Sequence, residues 1–137
     1  MKYFSKSIYI LILFIFLAFN NNGTYANNIK YKISGKEFSN YIVIPEEKPK
    51  GVIYIIHDWN GLNEYEIKRA DMLAELGYEA VALDMFGVGA KLEGFEDYMR
   101  ESGALYKDRN EFQSRILEAV KAASTSSDTD VAEFLIG

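Results

Sequence analysis

The chain has 137 residues, enough for one domain at most. Acidic side chains outnumber basic ones, 20 to 15, for a formal net charge of −5; this excludes a basic nucleic-acid footprint and argues against binding to anionic lipid. With no Cys in the sequence, disulfides, zinc thiolates, a thiol nucleophile and a Cys-linked lipid anchor are excluded as well.

Lys2 and Lys6 give a positive start. Ile8 to Phe19 is an unbroken apolar run of 12 residues, and Thr24-Tyr25-Ala26 offers a small-x-small cleavage site ahead of Asn27. This layout predicts a secretory signal peptide over residues 1–26. The run falls short of the roughly 20 apolar residues of a membrane span, so no stable span is expected once the leader is removed. An uncleaved anchor is the competing reading. Removal takes away two Lys and no acid, which leaves residues 27–137 two charges more negative. The expected location is periplasmic or secreted. Export without disulfides is ordinary for a bacterial periplasmic protein.

Ile29, Tyr31 and Ile33 alternate with Lys30, Lys32 and Ser34, and Phe38 to Ile44 follows after Gly35-Lys36. The pair predicts an antiparallel hairpin, half exposed at first and more buried later. Glu46 to Lys50 reads as a charged surface connection. Gly51 to Ile56 is apolar on both faces, as in the middle of a parallel sheet. Asn63 then suits a helix N-cap, with Glu66 three residues on as a capping-box variant. Ile67, Ala70, Leu73 and Ala74 line one face of that helix, and Gly77 suits its C′ position. Tyr78 to Asp84 reads as a second buried strand, completing a βαβ unit with an expected right-handed crossover.

Phe86-Gly87-Val88-Gly89 predicts a flexible turn. Glu93 to Gly103 is expected to hold a short helix, with Phe95 and Met99 on one side. Asp108 and Glu111 open a stronger helix, whose buried stripe is Phe112, Ile116, Ala119, Val120 and Ala123. Ser124 to Asp128 is a polar loop, and Val131 to Ile136 is a last expected strand.

Loops at the carboxyl ends of parallel strands carry the chemistry of open α/β sheets. The sequence His57-Asp58-Trp59-Asn60-Gly61-Leu62-Asn63 is therefore the expected site edge. It joins a helix containing Arg69-Ala70-Asp71-Met72-Leu73-Ala74-Glu75-Leu76-Gly77-Tyr78, then a strand ending Ala82-Leu83-Asp84-Met85-Phe86-Gly87. Together with Tyr106-Lys107-Asp108-Arg109, this combination of blocks resembles the dienelactone hydrolase family of α/β-hydrolases over residues 29–136.

The resemblance implies a specific architecture: an α/β-hydrolase-type sheet, with an N-terminal antiparallel hairpin followed by parallel strands and flanking helices. It implies cleavage of an ester or lactone by a Cys or Ser nucleophile with an Asp and a His, and no cofactor. The nucleophile of the family sits in a G-x-C-x-G or G-x-S-x-G turn, which would follow Val131 to Ile136 with Gly137 as its first Gly. The triad residues are not in this sequence, so the expectation is a truncated domain over residues 27–137.

By the same resemblance, Trp59 supplies a backbone N–H to the oxyanion hole, although packing alone would also explain its indole. Asp58 stands where the family carries a Glu that contacts the resting nucleophile; a loop-capping Asp is the alternative. His57, the single His, reads as a strand-end residue that holds the loop by hydrogen bonds, because the triad His of the family lies late in the chain. Gly61 reads as a tight-turn residue and Asp84 as a cap. Ser102, Ser114, Ser124, Ser126 and Ser127 have no elbow context. His57 and Asp58 alone do not make a metal site, and Gly87-x-Gly89 completes no phosphate loop.

Three functions remain open. The first is an inactive remnant of an exported hydrolase. The second is the N-terminal half of a split hydrolase completed by a second chain. The third is a non-catalytic binding module. The expected partners are a small ester or lactone if the site is completed, a C-terminal half, or a second copy paired through the open sheet edge.

Overall fold

The structure, a computed structural model, describes residues 23–124 and 130–137. Most of the expected leader lies outside the described residues, as do Ser126 and Ser127. The chain order is β1 (Thr24–Ile33), β2 (Lys36–Pro45), β3 (Val52–Ile56), α1 (Glu64–Glu75), β4 (Glu79–Leu83), α2 (Phe95–Lys107), α3 (Arg109–Ser124) and β5 (Glu133–Ile136). The strands form one sheet in the order β1-β2-β4-β3-β5. β1 pairs with β2, and β2 with β4, antiparallel; β3 runs parallel to β4 and to β5. This is the expected α/β-hydrolase-type arrangement of an antiparallel hairpin followed by parallel strands, and it sets β3 between β4 and β5.

β3, and β4 after its first residue Glu79, are apolar because both of their faces are covered. Val52 and Tyr54 of β3, with Val81 and Leu83 of β4, meet Ala119 and Ala123 of α3 and Leu105 of α2. Ile53, Ile55 and Ala80 point the other way, onto Ala70 and Ala74 of α1. The period of two along a strand sends neighbouring side chains to opposite cores. The result is a sheet between helical layers.

Three boundaries differ from the sequence expectation. The hairpin turn is Ser34-Gly35, both with positive φ, so Lys36 belongs to β2; two-residue hairpin loops favour this backbone because it matches strand twist. β5 is shorter than expected, beginning at Glu133. β1 begins at Thr24 rather than Ile29, and Thr24, Tyr25 and Ala26 pair with Pro45, Ile44 and Val43. The pairing partner overrides the weak strand preference of Asn27 and Asn28.

α1 starts as read. Asn63 is its N-cap, Tyr65 donates its N–H to Asn63 Oδ1 at 2.9 Å, and Asn63 donates its own N–H to Glu66 Oε2 at 3.1 Å. Gly77, at φ +89°, follows the C-cap Leu76. Asp108 accepts the Glu111 N–H at 3.0 Å at the start of α3.

Candidate active site

Because β3 and β4 are parallel neighbours, the loops that leave their carboxyl ends lie side by side. His57 joins them. Met85 donates its N–H to His57 Nε2 at 3.2 Å, so Nε2 is an acceptor and the ring proton is on Nδ1. Nδ1 donates to the Asp58 carbonyl at 2.7 Å. The ring is buried and meets Phe86 edge-on, with centroids 4.6 Å apart. Burial pushes the imidazole below its ordinary pKa, keeping it neutral. With both nitrogens engaged, His57 has no lone pair left for a proton, which matches the structural reading of this residue.

Asp84 caps the second loop. Its Oδ1 accepts the N–H groups of Phe86 at 3.0 Å and Gly87 at 2.7 Å, and its Oδ2 accepts that of Ser39 at 3.1 Å. The Asp84 N–H donates to Asn40 Oδ1 at 3.0 Å. Asn40 is fully buried; its Oδ1 also accepts from the Tyr31 hydroxyl at 3.1 Å, and its Nδ2 donates to the Ala119 carbonyl at 3.0 Å. Asp84 is thus a structural residue at the site edge.

Between these loops and α1 the chain turns at Asp58 to Gly61, closed by the Gly61 N–H on the Asp58 carbonyl at 3.2 Å. Gly61 has φ +82°, and a Cβ there would meet Phe86 and Leu92 at 3.1 Å. Only Gly satisfies both the angle and the space. The turn holds Asp58 and Trp59 outward. Asp58 is exposed. Trp59 is half exposed, its indole standing edge-on to Phe95 at 5.7 Å and Tyr98 at 5.6 Å. Its N–H makes no hydrogen bond to another described residue.

Trp59 forms one wall of a cavity of about 170 Å³. Met85, Phe86, Leu105, Tyr106 and Phe112 supply most of the remaining lining, with His57 and Asp58 also on its boundary. Ser102 reaches it from α2 and donates its hydroxyl to the Tyr98 carbonyl at 2.8 Å. Asp58 also borders a second cleft, shared with Ile136 and Gly137 at the end of β5. Asp58 and Trp59 therefore stand together, with Asp58 facing both spaces. Ser114 and Ser124 contribute to neither cavity lining. Ser124 ends α3 and lies 3.3 Å from the Tyr54 hydroxyl. No cluster of three or more potential metal ligands occurs among the described residues.

Sequence reading missed Asn40, Arg115 and the α2 residue Tyr98, and it gave Ser102 no place in the site. Arg115 donates Nη1 to the Met85 carbonyl at 2.6 Å and Nε to Glu111 at 2.7 Å, holding the β4 loop against α3. Asn40 and Arg115 each left a signal: a polar residue inside a buried strand, and a cation beside an apolar helical stripe.

The profile of the dienelactone hydrolase family matches residues 38–136. The chain belongs to the dienelactone hydrolase family. Among curated proteins, none matches it in sequence. Among solved structures it is similar to a dienelactone hydrolase-like promiscuous phosphotriesterase from metagenomic libraries, with TM-score 0.74 and 24% identity, covering 83% of this chain and 48% of that one. It is also similar to the structure named m3DLH, with TM-score 0.66 and 23% identity, covering 81% of this chain and 48% of that one. The chain spans about half the length of these relatives. They share the fold with it, and the dienelactone hydrolase sheet is the frame on which the β3 and β4 loops are set.

Proposed function

We propose that this chain carries the oxyanion-hole half of an ester or lactone hydrolase site and does not hydrolyse esters by itself. The observation that carries this reading is the Trp59 backbone N–H, on the exposed loop after β3 and without a hydrogen-bond partner among the described residues. A donor so placed stabilises the negative charge that develops on a carbonyl oxygen during acyl transfer. A second donor comes from the residue after the nucleophile in this fold. That nucleophile, the triad acid and the general base belong to polypeptide that follows β5, whether continuous with this chain or separate.

The reaction divides accordingly. The nucleophile adds to the ester carbonyl and its proton passes to the base. The oxyanion receives the Trp59 N–H. Collapse breaks the ester C–O bond, and the alcohol leaves with that proton. Water then releases the acid by the same two steps. His57 takes no proton, because its lone pair is held by Met85. Asp58 borders the cleft at the end of β5, and in this proposal its carboxylate contacts the nucleophile supplied there.

The test compares this chain alone with the same chain joined to the C-terminal half of a dienelactone hydrolase, from the nucleophile elbow onward. Hydrolysis of p-nitrophenyl acetate is expected only from the joined protein. Turnover by the purified chain alone would overturn the proposal, as would a folded joined protein with no activity.

A further inference from the structure

We infer that the cavity beside Trp59 receives an uncharged, single-ring-sized apolar group and turns away carboxylate-bearing ligands. This rests on the proposed site, since the cavity would hold the acyl or alkoxy group of its ester.

Size sets the first limit. The cavity holds about 170 Å³. An engineered apolar cavity of about 150 Å³ binds benzene, so the volume here is enough for one ring. Chemistry sets the second. Trp59, Met85, Phe86, Leu105 and Phe112 give the lining an aromatic and aliphatic character suited to a flat apolar group.

Charge sets the third limit. Among the lining residues Asp58 is the one carboxylate, and no Lys or Arg joins it. His57 offers no cation, being buried and bonded at both nitrogens. Arg115, on the helix behind, is held by Glu111 and the Met85 carbonyl. An anionic ligand would therefore meet the like charge of Asp58 beside an apolar wall, with no counterion among the lining residues.

Trp59 is the single tryptophan of the chain and reports binding without any turnover. The full chain is titrated with benzyl alcohol and with benzoate, following Trp59 emission. Benzyl alcohol is expected to give a saturable change, and benzoate to need at least about tenfold higher concentration for half-saturation. In Asp58→Asn the gap should narrow to about threefold or less. Ser102→Phe, which places a ring in the space, should abolish the benzyl alcohol response. If that variant does not fold, ligand-induced NMR shifts of the Leu105 methyls in the unaltered chain locate the ring instead.

The absence of a saturable response overturns the inference, as does equal affinity for benzoate or a response that leaves Leu105 unmoved. Because no nucleophile is needed, binding without turnover in the joined protein would sink only the proposed hydrolase, and turnover without binding would sink only this inference.

Discussion

His57 shows how a residue with catalytic credentials can serve structure. Its neutral ring accepts the Met85 N–H and donates to the Asp58 carbonyl, so both loops of the site depend on one protonation state. Its folded pKa lies below the ordinary value because burial disfavours the charged form. The unfolded ring titrates near about 6.5. The stability that His57 contributes is therefore complete above about 6.5 and is lost as pH falls through the lowered folded value. Thermal unfolding between about pH 7.5 and 5.5 should show a falling midpoint in the natural chain. The decline should be shallower in His57→Gln, and identical slopes would contradict this role. At this scale much was legible. His57, Gly61 and Asp84 have the structural roles expected of them, because strand-end position and turn chemistry are local. Asn40 and Arg115 were not found, because their partners Ala119 and Met85 are distant in sequence, and periodicity says nothing about such pairs.

The elements follow from local rules where those rules agree with one another. α1 has a capping box, an apolar stripe and a C′ glycine, and its bounds match the reading. Its cap also fixes the end of the site loop, since Asn63 Nδ2 donates to the Gly61 carbonyl at 2.9 Å. Asn63→Ala should cost about 1 kcal/mol, by loss of the cap. That is a fall of about 4 °C or more in the unfolding midpoint, and an unchanged midpoint would show that the cap carries no weight. β1 was harder to bound. Asn27 and Asn28 are poor strand formers, and only pairing with Ile42 and Tyr41 of β2 makes them strand. Its first residues include Thr24 to Ala26, ahead of the expected cleavage point, so processing there would take three residues from this ladder.

Across the whole molecule, the parallel strands gather the β3 and β4 loops at one end of the sheet, and β5 forms the edge beside them. Phe134 and Leu135 of β5 are half exposed. The central place of β3 was legible because an apolar run on both faces demands one. The cavity was not legible, since it arises where α2 folds back over the β3 loop and brings Tyr98 and Phe95 against Trp59. The claim that most needs testing is that this loop contributes an oxyanion donor. In the joined protein, a phosphonate ester that reacts with the nucleophile leaves a tetrahedral adduct suited to crystallography. The account predicts a phosphonyl oxygen about 2.7–3.1 Å from the Trp59 backbone nitrogen. An adduct whose oxygen is held by other groups, with the Trp59 N–H bonded elsewhere in the protein, would contradict it.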